Sequence, residues 1–256
     1  MTAFVVTGKP LTNQIDSYLE EIGPHLRKTF ARVKKSSAYR DIYKVSLAGD
    51  VVLHALDDKR VKPNLKAMRS VALRIPLLVA LGQVSVAVIE LRRFLELSIW
   101  SIFFTHHPIE WEHFRGKKGV GFTRDLRKPI AYAAHRDLNS YIEYASEYME
   151  LEPSGFALKA LAQLESDKRL LNSAVHAGDI ARSPISNVPV DSLNEPALAT
   201  FAKLQRRLFT HSIILAAAFN RGKFDVLTPE ARAYWQWLLG VELQKKIRAS
   251  DFGIYL

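Results

Sequence analysis

Two stretches pair an arginine with a downstream histidine: Arg169-Leu-Leu-Asn-Ser-Ala-Val-His176 and Arg206-Arg-Leu-Phe-Thr-His211. These residue types together suit metal-free cleavage of RNA. A histidine can move the 2′-OH proton near neutral pH, and an arginine can hold charge that develops on the phosphate. On a helix, residues seven apart return to nearly the same face, so Arg169 and His176 can line one cleft. Arg206 and His211 stand about 140° apart on a regular helix, which suits a shared site less well. Each histidine also has a plainer reading. His176 falls at a helix end before Ala177-Gly178, where the dipole favours a cation. His211 lies inside an apolar helix and reads equally as a satisfied core histidine.

A second kind of chemistry is written into the segment 113–129, HFRGKKGVGFTRDLRKP. It carries Arg115, Lys117, Lys118, Arg124, Arg127 and Lys128, with glycines at 116, 119 and 121. It reads either as a solvated loop or as a nucleic-acid contact. Glycines would let backbone N–H groups and cations approach a phosphodiester. It lacks the Gly-Lys-Ser/Thr ending of a phosphate-binding P-loop. His106, His107, Glu110, Glu112 and His113 crowd together, but HHPIEWEH matches no common zinc spacing, so no metal is expected. There is no cysteine, which excludes disulfides and thiolate nucleophiles. No cofactor is expected either.

The elements that must position these residues read as helices. The organising stretch is Arg69–Thr105, apolar on nearly every side from Pro76 onward, and a central buried helix is expected over about 76–105. Its charged cluster, Glu90, Arg92, Arg93 and Glu96, would be costly in a bilayer, and its uncharged part falls short of the roughly 20 residues a span needs. Helical spacing predicts the pairs Arg92–Glu96 and Glu90–Arg93, as a structural network or as the lining of a pocket or dimer seam. Before it, Ile15, Leu19, Ile22, Leu26, Phe30 and Val33 fall at helical spacing, with a basic outer face of Arg27, Lys28, Arg32, Lys34 and Lys35. Residues 38–56 fit a helix or two short strands turning at Gly49-Asp50, and helix is favoured because no other strand signal is available for pairing. Later helices are expected over 130–151, 156–175, 197–219 and from Thr228-Pro229 to about Arg248, with Thr228 as N-cap. The segment 177–196, with three prolines, reads as a long loop.

The bulk numbers agree with a globular chain. It has 256 residues, 48% hydrophobic and 24% charged, a composition that argues against disorder. The net charge of +10 favours an anionic partner. No basic n-region precedes an apolar core at the start, so a cytoplasmic, non-membrane protein is expected.

The string RRFLELSIWSIFF, followed some seventy residues later by LLNSAVHAG, resembles HEPN-like helical domains, the small α-bundles of bacterial toxins, anti-phage defence proteins and CRISPR-associated nucleases. The resemblance rests on Arg92, Leu95 and Glu96, then Val175, His176, Ala177 and Gly178, and spans about 69–220. Active family nucleases generally carry a polar residue directly after the arginine; here Leu170 follows Arg169, and Arg207 follows Arg206. It implies an all-α bundle that dimerises, with the Arg/His pairs of two protomers forming one RNA-cleaving site. His176 would then be the general acid/base and Arg169 the phosphate stabiliser, assisted by Asn172 and Ser173. The alternative is an inert HEPN-like module that binds protein or nucleic acid within a larger complex. The domains expected are an N-terminal helical extension, 1–68, and a bundle over 69–256, or one continuous domain. Expected partners are RNA or another nucleic acid, and a second copy or a partner protein.

Overall fold

A computed structural model describes residues 11–56, 62–106, 155–175, 195–219 and 226–248. All of its regular structure is helical: α1 (Leu11–Lys35), α2 (Ser37–Ala55), α3 (Lys62–Ala80), α4 (Val84–His106), α5 (Gly155–Val175), α6 (Glu195–Phe219) and α7 (Pro229–Arg248). The fold is therefore all-α. Among the described residues no helix is long and apolar enough to cross a membrane.

Local sequence accounts for the boundaries. Ser36 sits in extended backbone between α1 and α2, and its hydroxyl accepts from the Tyr39 amide at 2.9 Å, a serine N-cap. Thr228 caps α7 in the same way, accepting from the Ala231 amide at 3.2 Å, with Pro229 in the first helical position as expected. The ambiguous segment 38–56 is helix, and Gly49-Asp50 is not a turn but the middle of α2.

One expectation needs correction. The apolar stretch is not a single helix over 76–105; it breaks at Leu81-Gly82-Gln83 into α3 and α4. Gly82 has a positive φ of 76°, and the Gly82 and Gln83 amides donate back to the carbonyls of Val79 and Leu78 at 3.0 and 2.8 Å. That is the Schellman pattern, which uses a left-handed glycine to satisfy the last carbonyls of a helix. Hydrophobicity hid the stop because both arms are buried.

The resulting α3–α4 hairpin is flanked by α2 against α3 and by α5 and α6 against α4. α6 is the second central helix, touching α2, α4, α5 and α7. Phe94 of α4 and Phe209 of α6 stack at 3.9 Å between ring centroids, tilted by 4°. Gly49 of α2 lies against the edge of the Phe209 ring, where an added Cβ would come within 2.5 Å of Cδ1 and Cε1. Two buried polar bridges pin α6 in register. Gln205 Nε2 donates to Ser46 Oγ at 2.7 Å, and Ser212 and Ser98 hydroxyls meet at 3.2 Å. α2 thus shares one core with α4 and α6, and residue 68, the expected domain boundary, falls inside α3.

Candidate functional site

The first motif lies on α5, which ends at Val175, so His176 falls outside the described residues. The side chain of Ser173 is likewise outside them. Arg169 is 79% exposed, and among the described residues its one ion-pair contact runs from Nε to Glu165 Oε1, 3.5 Å away and one turn earlier. Asn172, three residues on and on the same side of the helix, is half-buried, with its Oδ1 enclosed and lacking a hydrogen-bond partner. Leu170 between them packs against the core. The helix thus offers one solvent-facing guanidinium, able to engage a phosphate, while the Asn172 amide oxygen is turned away from solvent.

The second motif behaves differently, because α6 turns its two arginines to opposite neighbours. Arg206 reaches α7, where Nη2 donates to the Trp237 carbonyl at 2.6 Å and Nε to the Leu238 carbonyl at 3.4 Å. Its Cζ lies 4.6 Å over the Trp237 ring. Those carbonyls precede Gly240, whose φ of 68° kinks α7, so Arg206 and Thr210 together cap the first arm of that helix. Arg206 is not directed at His211.

Arg207 instead turns to α5. Its Nε donates to both Asp167 oxygens at 2.9 and 3.2 Å, and its Nη2 joins them in a bidentate pair. Asp167 is fully buried and also accepts from Gln163 Nε2 at 3.3 Å. His211 Nδ1 lies 2.7 Å from the Arg207 carbonyl. A carbonyl can only accept, so Nδ1 carries the proton and Nε2 keeps its lone pair. Burial pushes the His211 pKa below its ordinary value, against the opposing pull of the Arg207 carbonyl and of Asp167. The result is a neutral imidazole of fixed tautomer, tied to an Asp–Arg pair that joins α5 to α6.

The charged cluster on α4 splits. Arg92 and Glu96 pair at 3.1 Å, as their spacing predicts. Glu90 turns to Arg74 of α3 at 2.9 Å instead of to Arg93, which stays exposed. The Arg74–Glu90 pair braces the hairpin. Sequence spacing also misses an arginine–histidine contact between helices. Arg69 of α3 donates from Nε to Asp50 at 2.7 Å and from Nη1 to His54 Nδ1 at 2.9 Å, both on α2. Nothing local to either segment signals it. The basic segment with Arg115, Lys117, Lys118, Arg124, Arg127 and Lys128 lies outside the described residues, as does the crowded histidine segment 107–113. Among the described residues no group of three or more metal-ligating side chains forms.

Fold and site together define a basic, all-α protein in which Arg169 and the Arg206–His211 motif sit on two adjacent helices. No protein-family model matches the chain, and no curated protein and no solved structure matches it.

Proposed function

We propose that the chain is a HEPN-like, metal-independent endoribonuclease or toxin-type effector of the anti-phage kind, working through Arg169 and His176. What supports this is the contrast between the arginines. Arg206 and Arg207 are engaged between helices, whereas Arg169 is left to solvent on α5, seven residues before His176 in sequence. In this reading Arg169 steadies the phosphate, His176 moves the 2′-OH proton, and Asn172 orients the reacting group. The test is cleavage of total RNA in EDTA by the wild type and His176→Ala at equal concentration. Cleavage by the wild type and its loss in the variant are expected. Equal cutting by both chains would remove His176 from the mechanism.

A second reading has an observation of its own. Arg206 and Arg207 are drawn into contacts that hold helices together and His211 is tied to the Arg207 carbonyl within α6, as in a module that binds without cutting. RNA left intact by the wild type, yet retained in a binding assay, would favour this inert HEPN-like module.

A further inference from the structure

Ion pairing on this protein is uneven. On α3, α4, α6 and α7 the cations Arg69, Arg74, Arg92, Arg207 and Lys245 each have a carboxylate partner, interspersed with cations such as Arg93 and Arg206 that have none among the described residues. From residue 27 to residue 44, across the end of α1 and the start of α2, the chain has seven Lys/Arg against Asp41 as the one acid. All eight side chains are exposed, and none of the seven cations forms an ion pair among the described residues. The five cations of α1 surround its last turns, and Arg40 and Lys44 continue the band beyond the Ser36 joint. By helical rise the band runs for about 25 Å of contour. Two aromatic rings stand within it, Phe30 at 44% and Tyr43 at 53% exposure.

We infer that this α1–α2 elbow is a docking surface for single-stranded RNA, with the cations on phosphates and Phe30 and Tyr43 stacking on bases. Unbalanced positive charge along a track favours a polyanion, and isolated exposed rings match the spaced, sequence-tolerant stacking that single strands offer. A lipid surface fits less well. Of the apolar stripe on this part of α1, Val33 is buried and Leu26 half-buried, so Phe30 alone would enter a membrane. The elbow is separate from Arg169, so the inference rests on RNA being the ligand in the reading above and not on its being cut.

The test uses the full chain, a labelled single-stranded RNA of about 15 nucleotides and fluorescence anisotropy across a salt series. Two variants are compared after circular dichroism confirms their helicity: Lys34→Gln/Lys35→Gln/Arg40→Gln/Lys44→Gln, and Phe30→Ala/Tyr43→Ala. Wild type is expected to bind with a slope of log K against log salt that flattens by about 0.7 for each phosphate no longer neutralised, roughly 3 in the fourfold variant. The aromatic variant should weaken binding at least fivefold with the salt slope unchanged. Wild type that fails to bind RNA at low salt overturns the inference. So does binding that ignores both variants, or capture by phosphatidylserine-containing vesicles without RNA binding. A chain that binds through the elbow yet cuts nothing keeps this inference and sinks the nuclease reading; one that cuts with the elbow variants still binding normally does the reverse.

Discussion

α6 packs against two very different neighbours. Toward α2 and α4 it presents Phe209, stacked on Phe94 and meeting Gly49 at its ring edge, and the seam is tight enough that one missing Cβ decides whether it closes. Toward α5 it presents Arg207 and His211, and the seam is an ion pair with a fully buried carboxylate. The apolar seam derives its stability from shape and the polar seam from mutual satisfaction of charge. Damage should therefore propagate differently. Removing atoms harms the first in proportion to the void, whereas in the second a single unmatched partner does the harm.

The largest loss should come from Phe209→Ala, about 4 kcal/mol by urea unfolding, from lost transfer free energy and the cavity left at the centre. Arg207→Ala should cost about 3 kcal/mol, the lower end for a broken buried pair, because the guanidinium is 42% exposed while Asp167 is not exposed at all. Adding Asp167→Ala should then recover part of that loss, since the stranded carboxylate is gone. If the double variant is instead less stable than Arg207→Ala by a further full increment, the two seams do not differ in kind. Gly49→Ala should cost about 2 kcal/mol, since the strain of forcing a Cβ against Phe209 exceeds the gain of about 1 kcal/mol in helix propensity. In a Phe209→Leu background the penalty of the added methyl should shrink, and a double-mutant cycle reads that coupling directly.

The two seams also differ in how far they can be read from sequence. The helices themselves follow from apolar periodicity and from capping residues such as Thr228-Pro229, because those signals are local. The Arg92–Glu96 pair follows for the same reason, being one turn apart. Arg207–Asp167, Arg74–Glu90 and Arg69–His54 do not, because their partners lie 40, 16 and 15 residues away and meet only when helices pack. Gly82 escapes notice for a different reason. An apolar run masks a helix stop when the chain turns inside the core, and only the left-handed backbone reveals it. The split roles of Arg206 and Arg207 are likewise decided by what surrounds α6, since adjacent residues on a helix point about 100° apart.

The smallest expected effects are those of pH, and they separate the polar seam from another charged joint, at the N-terminus of α2. There Glu195 Oε1 accepts from Ser37 Oγ at 2.7 Å and from the Ala38 amide at 2.9 Å. Hydrogen bonding from Ser36, then Ser37 and Ala38, lowers its pKa from 4.5 to about 2. A depressed carboxylate contributes stability that is present above 4.5 and is lost as pH falls through that value toward about 2. His211 also has a depressed pKa, but as a base it acts in a higher window. The unfolded chain takes up a proton as pH falls below 6.5 while the folded imidazole does not, so stability declines from 6.5 downward until the folded value is reached. Thermal unfolding from pH 7.5 to 2.5 should show both declines in the wild type. Glu195→Gln should flatten only the acid limb and His211→Gln only the limb beginning near 6.5. Should His211→Gln leave the slope between pH 6.5 and 5 unchanged, the imidazole is not held neutral at the α5–α6 seam. The polar seam would then reduce to the Asp167–Arg207 pair alone.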